Sequence, residues 1–73
     1  MRRQHVLTSP LRLRCIICYF RHHYNAMVLS DAEGWLLFDD SHIERPGDWA
    51  ACLALMRGGL QPSMLFYEAA PVQ

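Results

Sequence analysis

Leu11-Arg-Leu-Arg-Cys-Ile-Ile-Cys-Tyr-Phe20, with the segments His23-Tyr-Asn-Ala-Met-Val-Leu-Ser30 and Trp35-Leu-Leu-Phe-Asp39 that follow it, decides how this chain folds. The first segment begins in strict apolar–polar alternation and ends as a continuous apolar run. A period of two sends successive side chains to opposite faces of a sheet, so this pattern reads as a strand with one face or both covered. Arg21-His22 separates it from the second segment. Asp31-Ala-Glu-Gly34 separates the second from the third, and its glycine suits a short hairpin loop. Strands joined by such short loops run antiparallel.

Toward the C-terminus, Asp40-Ser41 turns the chain, and His42-Ile43-Glu44 reads as a short extended piece. Pro46-Gly47-Asp48 then marks a helix start, with Asp48 as the cap because its carboxylate can accept from an unpaired N–H of the first turn. Trp49, Cys52, Leu53 and Met56 fall at i, i+3, i+4 and i+7, which is one apolar helical face. Gly58-Gly59 ends the helix, since glycine tolerates the left-handed conformation needed just past it. Pro62 begins a last strand, Ser63-Met-Leu-Phe-Tyr-Glu68. The expected architecture is α+β: an antiparallel β-sheet in β-β-β-α-β order, covered by one helix. Residues 1–10 are expected to be an irregular N-terminal segment, 11–68 the folded unit and 69–73 a frayed tail.

Composition narrows the class. A chain of 73 residues buries only about 60% of the surface its unfolded form exposes. Its hydrophobic fraction of 52% argues against disorder, and elements this apolar normally pack against something more. A fragment of a larger domain is the expectation. Net charge is zero, yet no acidic residue precedes Asp31. The arginines of that acid-free stretch have the flavour of a transit peptide, but they run into a strand pattern with no spacer. They also lack the aromatic or Gly-rich companions of a nucleic-acid site. No apolar run approaches the ~18 residues that span a membrane. Cys15, Cys18 and Cys52 are an odd set without a secretory signal, which points to a reducing compartment, cytoplasmic or nuclear.

Two patterns with apparent chemistry read more simply as structure. Cys15-x-x-Cys18, with His22 and His23 nearby, resembles half a zinc site. In a strand, however, an offset of three puts the two thiols on opposite faces, no glycine turn intervenes and no second pair follows. They read as packed core cysteines, and no metal or cofactor is expected. Leu11-Arg12-Leu13-Arg14 reads as a strand with basic residues on one face.

His23 and Asp39 are different. His23 opens its strand and Asp39 closes the next, so antiparallel pairing puts them at the same end of the sheet. A carboxylate there can hold one imidazole nitrogen as a donor and leave the other to deprotonate a thiol. The thiolate would be the nucleophile.

The runs Cys18-Tyr-Phe-Arg-His-His23-Tyr24, Trp35-x-x-Phe38-Asp39-Asp40-Ser41-His-Ile43 and Gln61-Pro62-x-Met-Leu-Phe-Tyr67 together resemble the C-terminal end of the ubiquitin-specific protease family, whose members are papain-like cysteine peptidases. The resemblance covers about Leu13 to Glu68. It implies that His23 is the general base and Asp39 the acid that orients it. Asp40, Tyr24 and Trp35 are candidate supporting residues, with Tyr24 beside the substrate channel or in the core, and Trp35 and Phe38 packing to hold their strand. The implied partner is ubiquitin or a ubiquitinated protein. Two departures matter. The family's box with the nucleophilic cysteine and its oxyanion-stabilising asparagine is missing, and His22 stands where the family has glycine. A divergent branch, several of whose members are regarded as weak or inactive, looks closest. The expectation is the His/Asp half of a deubiquitinase, inactive alone because a base without a nucleophile forms no acyl-enzyme. The alternative is a non-catalytic ubiquitin- or protein-interaction module.

Overall fold

Alternation in residues 11–39 becomes three neighbouring strands: β1 (Leu11–Phe20), β2 (His23–Ser30) and β3 (Gly34–Asp39). The computed structural model describes residues 10–69; the expected irregular segment up to residue 9, and the tail from residue 70, lie outside them. Beyond β3 come β4 (His42–Gly47), helix α1 (Trp49–Arg57) and β5 (Gln61–Ala69). The sheet order is β4-β3-β2-β1-β5, and every neighbouring pair is antiparallel. The α+β expectation therefore holds, with one strand more than expected. The piece at residues 42–44 runs on to Gly47, where a φ of +87° breaks the extended backbone before the helix.

The helix is built as its sequence dictates. The Asp48 carboxylate accepts from the Ala51 N–H at 2.9 Å, and Ala, Leu and Met supply strong helix formers. At the other end Gly59 N–H bonds the Met56 carbonyl and Leu60 N–H the Leu55 carbonyl, at 3.1 and 3.2 Å. This is the doubly bonded glycine stop, and the positive φ falls on Gly59 (+120°), not on Gly58. It ties the last turn to the returning chain. As a result Leu55 packs beside Cys52 and Met56 on the core, together with Leu60, whereas Leu53 does not. The expected apolar face is thus turned by part of a step.

Since β4 and β5 are the two edges, the helix connection crosses the sheet and covers one face. Beneath it Ile16 and Cys18 of β1, Met27 of β2 and Trp35 and Leu37 of β3 meet Cys52 and Leu60. Trp35 also packs on Trp49, ring centres 5.5 Å apart. Cys15 departs from expectation: it lies half-buried on the opposite face, as the offset of three requires, and only Cys18 is in the core.

Among the described residues, that opposite, outer face carries no helix. Register aligns Met64, Ile17, Ala26, Phe38 and Ile43 in one row across all five strands. A second row runs Phe66, Cys15, Val28 and Leu36. At one end of this face Asp31 accepts from Arg12 and Arg14 at 3.1 and 2.9 Å, and Arg14 reaches Glu68 at 3.0 Å. The basic residues of β1 do share one face. A bulge between Leu13 and Cys15 lets Leu13 point to the core while Arg14 and Cys15 both face outward.

β5 starts two residues earlier than expected and includes Ala69, which pairs with Leu11 and is not frayed. Pro62 is accommodated because β5 is an edge strand, with a second register shift between Ile17 and Cys18. Every residue of β5 is exposed, including Met64, Leu65, Phe66 and Tyr67.

Candidate functional site

The end of the sheet that carries His23 and Asp39 is made by two tight turns. Phe20 pairs with His23 across a two-residue loop, in which Arg21 and His22 both have positive φ, 50° and 70°. Such a loop matches the twist of the strands it joins, and it normally holds Asn or Gly because side chains disfavour that backbone region. Asp39 pairs with His42 across Asp40-Ser41, and Asp40 too has positive φ, 54°. The β2–β3 register, counted outward from Ala26 opposite Phe38, sets Asn25 opposite Asp39 and His23 one diagonal step beyond. All three side chains are on the helix side of the sheet.

His23 Nε2 and Asp39 Oδ1 are 2.8 Å apart, with both side chains about one-third exposed. A carboxylate can only accept, so Nε2 carries the hydrogen, and in the neutral ring Nδ1 keeps the lone pair. The hydrogen bond to Asp39 raises the His23 pKa above the usual imidazole value. Burial pulls the other way, while the Arg21 carbonyl and the charges of Asp39 and Asp40 add to the rise. The ring is thereby made a stronger base and is held in one orientation.

Asp40 completes a group with His23 and Asp39 whose ligand atoms all lie within 4.8 Å of one another. Among the described residues this is the arrangement compatible with a metal ion, although Asp39 already engages Nε2. Cys15 and Cys18 point to opposite faces and cannot share an ion.

Beside the pair, a cavity of about 260 Å³ opens between the sheet end and the last turn of α1. Asp39, Asn25 and Glu44 supply its polar wall, and Phe20, Leu37 and Leu55 much of its apolar wall. Asn25 is only 7% exposed, and its Oδ1 has no hydrogen-bond partner. Neither Asn25 nor Glu44 was singled out by sequence. The available signal is an amide at a core-facing position of an otherwise apolar strand.

The other candidate residues are placed as follows. Trp35 packs in the core at the far end of β3 from Asp39, supporting the strand and not the pair. Tyr24 is 63% exposed on the outer face, edge-on to Tyr19 at 5.0 Å. It is neither in the core nor beside His23, because strand parity turns it away. Phe38 is likewise on the outer face, 38% exposed, and does not pack under the helix.

No cysteine serves as a partner. Cys18 and Cys52 are sealed in the core. Burial raises the pKa of all three thiols; neighbouring thiols add to the effect at Cys18 and Asp48 adds at Cys52. A nucleophilic cysteine needs the reverse, a depressed pKa in an accessible, electropositive site.

Fold and site together define a small sheet-and-helix α+β domain bearing an oriented imidazole–carboxylate pair. No protein-family model, curated protein or solved structure matches the chain. Among the described residues no helix is long and apolar enough to cross a membrane.

Proposed function

We propose that this chain is the base-bearing half of a thiol-hydrolase centre of the ubiquitin-specific protease kind, directed at ubiquitin or ubiquitinated proteins and inactive alone. The observation that carries the reading is the 2.8 Å contact between His23 Nε2 and Asp39 Oδ1 at an accessible strand end beside a cavity. The order and spacing of the three resembling runs agree with it. In this reading Nδ1 of His23 takes the proton of a thiol supplied by another polypeptide segment, and Asp39 stabilises the imidazolium that forms. The thiolate then attacks the carbonyl carbon of ubiquitin's C-terminal glycine, the C–N bond breaks, the amine leaves with the proton held by His23, and water hydrolyses the resulting acyl-enzyme. Cys18 and Cys52 are sealed in the core and Cys15 lies on the other face of the sheet from His23, so none of the three is placed as the nucleophile. The proposed setting is a reducing compartment, cytoplasmic or nuclear.

Two measurements on the purified chain test this. Incubation with a ubiquitin–fluorophore reporter is expected to give no hydrolysis; turnover abolished by His23→Ala would overturn the inactivity. Titration of isotope-labelled chain with ubiquitin is expected to shift the amide resonances of His23, Asn25 and Asp39. Unmoved resonances at millimolar ubiquitin would remove the ubiquitin-directed reading. The apolar outer face favours a second reading, a non-catalytic ubiquitin- or protein-interaction module, for which that titration would shift the outer-face residues instead.

A further inference from the structure

The outer face of the sheet poses a physical problem. Two register rows cross all or most of the strands without a charged or hydrogen-bonding side chain, and α1 covers only the opposite face. Phe38, Ile43, Met64 and Phe66 on this face are between 38% and 55% exposed. A contiguous apolar field of this kind is characteristic of an interaction surface, whereas scattered exposed apolar residues are ordinary.

We infer that this face is a self-association surface on which two copies of the chain stack sheet against sheet. Three observations favour a second copy over a different partner. First, the charges at the Asp31 end of the face are already matched within the chain: Asp31 and Glu68 take Arg12 and Arg14, and Glu33 takes Arg45 at 3.1 Å. Among the described residues, the charges at that end of the face are paired within the chain and call for no partner of opposite sign. Second, the net charge is zero, so two copies approach without long-range repulsion. Third, the area is of the order a dimer needs. Five strands about 4.8 Å apart and a run of about 16 Å from Cys15 to Tyr19 give a flat footprint of roughly 380 Å² per copy. Two flat footprints sum to roughly 760 Å², and the relief of the side chains brings the buried area toward the ~1,000 Å² that a specific interface needs. Twisted sheets pack face to face about 10 Å apart with strands roughly 30° from parallel, and a two-fold axis sets each patch against itself. The result is a sandwich of two five-stranded sheets, with the two helices on its outside.

This inference is independent of the ubiquitin-protease reading, because its test reads mass and not ubiquitin. The full chain is examined by analytical ultracentrifugation from low to high micromolar concentration. A closed dimer of twice 8.5 kDa is expected. Phe38→Lys at the centre of the face should weaken its dissociation constant by about 30-fold or more, the scale of a central interface residue. Ile43→Lys provides a second variant at a more exposed position, and far-UV circular dichroism shows that each variant keeps its fold. Leu65→Lys, on the helix side of β5, should leave the dimer intact. A chain that stays monomeric throughout overturns the inference. So does a dimer that Leu65→Lys abolishes and both outer-face variants spare, or open-ended association, since each marks pairing along the exposed edge of β5.

Discussion

His22→Gly should stabilise this protein, although it deletes a whole side chain. His22 is exposed and has a φ of +70° in the two-residue loop between β1 and β2. A residue with a Cβ in the left-handed region brings that carbon against its own carbonyl oxygen, at a cost of about 1–2 kcal/mol. Glycine escapes the clash, but its freer unfolded chain returns roughly 0.5–1 kcal/mol of the gain. The net expectation is about 0.5–1 kcal/mol, equivalent to a rise of about 2–8 °C in Tm for a domain of this size. Urea denaturation followed by the fluorescence of Trp35 and Trp49 measures it, at one fixed protein concentration because self-association adds its own stability. The midpoint should rise with the slope unchanged. The same change at Arg21 should gain less, since its guanidinium lies 5.0 Å over the Phe20 ring and that contact would be lost. A midpoint that falls or stays put on His22→Gly would refute the reasoning, because the turn would then not hold His22 in a strained backbone.

Other substitutions probe other joints. Asp39→Asn should lower the His23 pKa toward the ordinary imidazole value, read by NMR titration of the ring protons; an unmoved titration would mean the 2.8 Å contact does not hold in solution. In the unaltered chain the folded-state pKa of His23 is raised, so the pair's contribution to stability is complete below the ordinary histidine pKa. It is lost as pH rises through the raised folded value. Asp31 behaves oppositely: hydrogen bonding and charge from Arg14, and then Arg12, lower its pKa. Its contribution is present above the ordinary carboxylate value and fades as pH falls through the lowered one, so Asp31→Asn should flatten acid denaturation curves in that range. Gly34→Ala should cost about 2 kcal/mol or more, because φ there is +79° and the added carbon would collide with the Gly47 carbonyl oxygen. Thermal melts should register it as a large drop in Tm. Asp48→Ala should cost about 1 kcal/mol through the lost bond to Ala51 N–H, visible as a lower urea midpoint.

Much of the fold is legible in the sequence because its signals are local. Alternation around Leu11–Leu13, the Asp31–Gly34 loop, the Asp48 cap and the Gly58-Gly59 stop each act within a few residues, and each lies where the chain's own chemistry puts it. His23 and Asp39 are legible for the same reason, since hairpin geometry converts strand ends into neighbours. What local pattern does not carry is parity across strands. Tyr24 is one residue from His23, yet it points to the other face. Phe38 looks like a core aromatic until register places it in the outer row. Asn25 and Glu44 meet Asp39 only because β4 pairs with β3 and the helix folds back over that corner. The turn of the helical face from Leu53 to Leu55 depends on the hydrogen bond that Leu60 makes after the helix has ended.

The three cysteines form a built-in depth gauge. Cys15 lies on the side of the sheet opposite the helix, while Cys18 and Cys52 are closed in beneath the helix from two different elements. An alkylating reagent reaches the latter pair only when the helix lifts from the strands, so their labelling rates report the free energy of that opening. Equal rates for Cys18 and Cys52 would mean that helix and sheet part as one cooperative unit. Unequal rates would reveal which of them leaves first.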